Sequence, residues 1–288
     1  MKKIIEKISW IPYELLNNYF RMPKNPLNLN LKKIGIPKKI VLHYMPGDQG
    51  LSKQIALYGF REPLNYKNYY DFVKKDDDVL DVGANIGLFS ILSRKAKKII
   101  AIEPIKECIP VLKKNLASEK ILKKTKIINM AVGKEGKLLL EKGKHINLSK
   151  VVKKRNKNTQ EVISKPLKYF VDKYKINLLR MDIEGYEYYI LKEKIPKRIN
   201  KISIEFHTSL MGKTKAIQLL KNLEKEKFIV YKLIEDLPLR LYPFYCLLKK
   251  TGLIKKFTYI KKNLPPSECI PYILKGRSIK YLLLKRQN

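Results

Sequence analysis

DDDVLDVGANIGLFSILSRKAKKIIAIEPIKECIPVLKKNLA, residues 76–117, decides the fold. A short apolar run, Val79 to Val82, leads into a turn from Gly83 to Gly87. An amphipathic segment, Leu88 to Ala96, and a second apolar run, Ile99 to Ile102, follow before the stretch closes on Glu103. Two short apolar runs either side of a helical-period segment predict strand, helix and strand, a βαβ unit. Gly83 and Gly87 carry no Cβ, so the turn between strand and helix lets the backbone approach a ligand.

Glu103 follows Gly83 by twenty positions and falls at the carboxyl end of the second strand. A carboxylate there accepts hydrogen bonds from ribose hydroxyls. Nicotinamide cofactors and S-adenosyl-L-methionine both use such a carboxylate, so the glycine spacing discriminates between them. A dinucleotide fingerprint needs G-x-G-x-x-G to seat a pyrophosphate on the helix N-terminus. Here the turn reads D-x-G-x-N-x-G. Asp81 sets a carboxylate where a phosphate would be repelled and where the cationic amino acid portion of S-adenosyl-L-methionine is held, directly or through a water.

A second stretch sharpens this reading: NLLRMDIEGYEYYIL, residues 177–191, followed by KISIEFH, residues 201–207. Together with VLDVGANIG it resembles the FkbM family of S-adenosyl-L-methionine-dependent methyltransferases, over roughly residues 60 to 235. The resemblance implies a Rossmann-like class I methyltransferase, an α/β fold with a mostly parallel doubly wound sheet and helices on both faces. It also implies that Asp81, Gly83, Ala84, Asn85, Gly87 and Glu103 surround the cofactor, and that Asp182, Glu184 and Gly185 match the family's second motif. The chemistry implied is O-methylation of a sugar, a glycan or a related small-molecule hydroxyl.

Working outward, KIINMAV at residues 126–132 predicts the third strand, whose end flanks the adenine in such enzymes and so nominates Met130 and Ala131. Residues 133–166 predict hairpin-like insertions with a strand at 161–165 and a basic run from Lys153 to Lys157. Leu178 to Ile183 reads as a buried parallel fourth strand, ending in Asp182 and Glu184. Ligands in open parallel sheets lie beyond the carboxyl ends of the strands. Asp81, Glu103, Asp182, Glu184, Glu205 and His207 all map to that edge. Asp182 is the expected base or hydroxyl ligand, with Glu184 and His207 as alternatives. Asp182, Glu184, Glu205 and His207 can equally hold a divalent cation, but the sequence gives no fixed ligand spacing and assigns no metal.

Three parts are expected: a helical and irregular extension over 1–60, a catalytic domain over 61–235, and a basic aromatic extension over 236–288. Residues 2–20 place Ile4, Ile5, Ile8, Ile11, Leu15, Leu16 and Tyr19 near helical spacing, with a break expected at Pro12. That segment is expected to cap the core. Ile279 to Leu284 predicts a last strand, returning at the sheet edge.

The formal charge of +36 on 288 residues attracts RNA, an anionic membrane surface or acidic glycans without choosing among them. Cys108, Cys246 and Cys269 are too few and scattered for a disulfide framework or a zinc cluster. They fit a reducing compartment, so a cytoplasmic enzyme is expected, peripheral to the membrane where its basic patches meet lipid. No run of about eighteen apolar residues predicts a spanning helix, and Glu6, Pro12 and Glu14 interrupt the N-terminus, against a cleaved signal peptide.

Two other function classes compete. An RNA (tRNA) methyltransferase draws on the charge, but the Asn/Asp-Pro-Pro-aromatic motif of amino-methylating enzymes is missing after the fourth strand, where MDIEGYE stands. A non-enzymatic interaction module need not keep Asp81, Gly83, Gly87 and Glu103 together.

Overall fold

The computed structural model describes residues 10–45, 47, 48, 50–141, 143, 149–152, 154–275 and 279–287. Ile4, Ile5, Glu6, Ile8 and Lys153, named above, lie outside them. A helix runs from Trp10 to Tyr19. Pro12 falls within the first turn of this helix, where the missing N–H would have no partner anyway, so it does not interrupt Trp10–Tyr19. Ile11, Leu15, Leu16 and Tyr19 face solvent, so the expected cap on the core does not extend to this stripe.

Strands β1 (Leu27–Asn30) and β2 (Lys39–Leu42) pair antiparallel as a separate ribbon. The buried Asn115, in the helix Cys108–Ser118, ties this ribbon to the core. Its Nδ2 donates to the carbonyls of His43 at 2.9 Å and Ile86 at 2.7 Å, so one side chain joins the ribbon to the glycine turn.

The central unit contains β3 (Asp78–Val82), β4 (Lys98–Ile102) and β5 (Thr125–Ile128). Next come β6 (Ala131–Val132), β7 (Gly136–Glu141), β8 (Lys150–Val152) and β9 (Thr159–Lys165), then β10 (Leu178–Met181) and β11 (Lys201–His207). The chain ends with β12 (Phe228–Glu235), β13 (Tyr259–Leu264) and β14 (Ile279–Arg286). Eight strands form the main sheet in the order β13-β12-β14-β11-β10-β3-β4-β5. From β5 to β11 all neighbours are parallel. Strand order reverses at β3 and β10, the switch point where a crevice opens in doubly wound sheets. The fold is the expected Rossmann-like α/β architecture.

Successive residues along these strands alternate between two apolar cores, one on each face. Val79, Ile99 and Leu178 belong to one core and Leu80, Ile100 and Leu179 to the other. Burial on both faces explains why the strands read as continuous apolar runs.

Three expectations are corrected. The third strand is not continuous from 126 to 132. It stops at Ile128, Asn129 donates from Nδ2 to the Glu103 carbonyl at 2.8 Å and the Pro104 carbonyl at 3.1 Å, and the chain peels away as β6. β6 joins the hairpin insertion in a side sheet of order β6-β9-β7-β8. The helix after the glycine turn ends at Leu92 rather than Ala96, because Ser93 caps it, donating from N–H and Oγ to the Phe89 carbonyl. Finally, β14 is not at the edge: it inserts antiparallel between β11 and β12, with Leu282, Leu283 and Leu284 wholly buried. Three consecutive leucines are the signature of a strand covered on both faces.

Candidate active site at the strand ends

One cleft opens over the carboxyl ends of β3, β4, β10 and β11 and encloses about 1090 Å³, including its open mouth. The glycine turn and the β4 end make one half. Gly83, Ala84, Asn85, Glu103, Met130 and Ala131 all line it. Gly83 has φ +80°, and a Cβ there would stand 2.1 Å from the Asp182 carbonyl oxygen. Only glycine lets the ends of β3 and β10 approach so closely. Asn85 also takes a positive φ, 50°, a conformation asparagine tolerates, and its Oδ1 accepts from the Ile86 N–H at 2.7 Å.

Glu103 organises this half. Its Oε2 accepts from the Asn85 N–H at 2.7 Å and its Oε1 from the Ile105 N–H at 2.8 Å, so one carboxylate braces the turns after β3 and β4. Burial pushes its pKa up to about 7, with those two backbone bonds opposing the rise.

Asp81 was expected to hold the cofactor directly or through a water. It is fully buried and does not line the cleft. Ser90 Oγ donates to its Oδ2 at 2.6 Å, and Arg180 Nη1 stands 3.4 Å from its Oδ1. Gly87 also turns away from the cleft, towards Leu112.

The other half is polar. Arg180, the one charged residue of the otherwise apolar β10, is 4% exposed and reaches both halves. Nη1 donates to the Gly83 carbonyl at 3.2 Å, Nη2 pairs with Asp182 Oδ2 at 3.0 Å, and the guanidinium lies 3.7 Å over the Phe89 ring. Burial alone would raise the Asp182 pKa, but Arg180 and His207 outweigh it and hold the carboxyl below its ordinary range. Glu184 sits in a left-handed conformation, φ 51°, unusual for a side chain with a Cβ. Gly185 follows at φ +90°, where a Cβ would meet the Leu210 Cβ at 2.6 Å.

Asp182, Glu184 and Glu205 line the cleft, whereas His207 stands in its wall, 2% exposed, with Nδ1 2.8 Å from Glu187 Oε1. Burial lifts Glu184 to about 7, and burial together with the Asp182 charge lifts Glu205 to about 8. Burial opposes charge on His207, yet Glu187, Glu205 and Asp182 together raise its pKa well above the ordinary value. Arg61 and Glu62, paired at 2.7 Å, complete the lining from the segment before the helix Pro63–Phe72. In a chain of formal charge +36, five carboxylates, Glu62, Glu103, Asp182, Glu184 and Glu205, thus line this one cleft.

Sequence reasoning assigned no role to Arg180, Glu187 or Arg61. The signal for Arg180 was available, since an arginine inside a buried apolar strand demands a partner. Nothing local marks Arg61, which reaches the cleft through tertiary packing.

The model of the methyltransferase FkbM domain matches residues 81–230. No curated protein matches the sequence. Among solved structures, the chain is similar to a protein of the NADB-Rossmann superfamily from Streptococcus agalactiae. That pair shares 13% identity at a TM-score of 0.42, covering 78% of this chain and 69% of that one. It is similar to the B. subtilis M1A22 tRNA methyltransferase TrmK, with 10% identity, a TM-score of 0.40 and coverage of 78% and 66%. A Streptococcus pneumoniae protein solved in complex with S-adenosyl-L-methionine gives 12% identity, a TM-score of 0.41 and coverage of 78% and 74%.

Proposed function

We propose, for a chain that belongs to the FkbM methyltransferase family, that the acceptor is a hydroxyl of a sugar, a glycan or a related small molecule. The protein is an S-adenosyl-L-methionine-dependent methyltransferase, so the proposal concerns the acceptor and the work of each side chain. The observation that carries it is the convergence of Asp182, Glu184 and Glu205 on the half of the cleft beside the glycine turn. Carboxylates accept hydrogen bonds from hydroxyls and repel phosphates, which suits a neutral polyhydroxyl molecule better than a nucleic acid backbone.

When bound, S-adenosyl-L-methionine would supply the methyl group to the acceptor oxygen, and neutral S-adenosylhomocysteine and a methyl ether would result. The hydroxyl proton passes to a carboxylate of the site. Gly83, Ala84, Asn85, Glu103, Met130 and Ala131 hold the cofactor, Glu103 accepting from its ribose. Asp81 acts at one remove, by fixing Arg180 and the helix that starts after the turn. Asp182, kept ionised by Arg180, orients the acceptor hydroxyl, with Glu184 and His207 beside it. The second reading, a tRNA acceptor, draws on the charge of +36.

Labelled S-adenosyl-L-methionine incubated with a panel of saccharides and with bulk tRNA tests this. Transfer to a saccharide is expected, with kcat in Asp182→Asn at least about a hundredfold lower while cofactor Kd stays within about threefold, the span of ordinary context effects. Transfer only to tRNA, weakening steeply with added salt, would replace the saccharide reading. Full activity in Asp182→Asn would remove Asp182 from the chemistry.

A further inference from the structure

Asp182, Glu205 and His207 each present one donor atom, and the three atoms lie within 4.8 Å of one another. They come from the ends of two neighbouring strands, β10 and β11, so the rigid sheet fixes their spacing. The imidazole is aimed. Glu187, fully buried, holds Nδ1 at 2.8 Å and also accepts from the Gly185 N–H at 3.1 Å. A carboxylate behind the ring in this way is the usual support of a metal-ligating histidine, because it fixes both tautomer and orientation.

Nε2 then points into the carboxylates. Glu205 Oε1 lies at 3.5 Å, Glu184 Oε2 at 3.6 Å and Asp182 Oδ1 at 3.9 Å. All three separations exceed the 2.7–3.2 Å typical of an N–H···O bond. They fall instead in the range of about 3–4.4 Å between donor atoms that share an ion at about 2.1–2.2 Å. His207 is 2% exposed, and its Nε2 faces three carboxylates at once, with Glu205 as its nearest, long hydrogen-bond partner. Glu205, at 7% exposure, has Nε2 as its ion-pair partner at this longer distance. Glu184 adds a carboxylate on the same side, held there by its left-handed backbone.

We propose that Asp182, Glu205 and His207 bind one divalent cation of the Mn2+ class at the acceptor end of the cleft. Carboxylate oxygens select hard ions and one imidazole is compatible with Mn2+. Three protein donors leave coordination positions open to the cleft, where an acceptor hydroxyl can enter. The ion stabilises the oxyanion as the hydroxyl proton leaves for Glu184 and the methyl group arrives. The position of the ion rests on geometry alone; its task rests on the methyltransferase reading above.

Mn2+ alone is titrated into the 288-residue chain, followed by loss of the free-ion paramagnetic resonance signal and by calorimetry. The titration is repeated with His207→Gln and with the nearly isosteric Glu205→Gln, each checked by circular dichroism. One ion per chain is expected, bound at least about tenfold more weakly in each folded variant. Glu205→Gln keeps the test alive if His207→Gln does not fold. S-adenosyl-L-methionine binding is measured on the same samples. Cofactor binding without Mn2+ binding, or Mn2+ binding unchanged in the variants, overturns the ion site and leaves the methyltransferase reading standing. Mn2+ binding as expected without cofactor binding would support the site and strike that reading instead.

Discussion

The two halves of the cleft are built on opposite physics. The half around the glycine turn is made of backbone: Gly83, Ala84 and Asn85 line it with peptide groups, and one carboxylate, Glu103, braces them. The half at β10 and β11 is made of side-chain charge, with Asp182, Glu184, Glu205 and His207 facing one another. A backbone site fits a fixed cofactor, whereas a charge cluster can be retuned to a new acceptor by changing one strand end. Arg180 spans both, reaching the Gly83 carbonyl and the Asp182 carboxylate.

The sharpest way to break the contrast is therefore to remove the bridge. Arg180→Met should destabilise the fold by about 3–5 kcal/mol, since it strands the buried Asp81 and leaves Asp182 beside Glu205 with only His207 to offset its charge. Denaturant unfolding measures this, and adding Asp81→Asn should return part of the loss. Gly83→Ala should come next, at roughly 2–4 kcal/mol. Its Cβ meets the Asp182 carbonyl in a conformation costly for any other residue, so both halves suffer together.

Glu103→Gln should separate the halves. Replacing the charged acceptor is expected to weaken cofactor binding by about 10–100-fold in calorimetry, with Mn2+ affinity unchanged. The smallest effect is in pH. Because burial raises the Glu103 pKa to about 7, the carboxylate proposed to receive the ribose is lost as pH falls through that value. Cofactor affinity of the wild type should drop, approaching about tenfold per pH unit well below pH 7. Glu103→Gln should lose that slope, and an equal slope in the variant would assign the titration to another group.

The position of the glycine turn and of Glu103 was legible because both lie within one βαβ unit, where turn chemistry and strand ends are local properties. Glu103 could be placed by spacing alone. Asp182, Glu184 and His207 could be set at the right edge of the sheet, but not their partners. Glu187 meets His207 from twenty positions away, and Arg180 meets Asp81 across ninety-nine. Asp81 itself was misplaced relative to the cleft because a strand-end carboxylate reads the same whether it faces a ligand or a buried arginine. Strand β14 was found as a strand, yet its insertion depends on pairing with β11 across more than seventy residues and with β12 across more than forty-five.

That insertion also sets an order of assembly. As the polypeptide leaves the ribosome, the cofactor turn and its sheet neighbours emerge early, while β11, which carries Glu205 and His207, has an unpaired edge until residues 279–286 follow. The glycine turn can therefore form before the charge cluster beside it has its final support. A stalled chain ending before residue 279 would present β11 as a sticky open strand, a substrate for chaperones rather than a partly active enzyme.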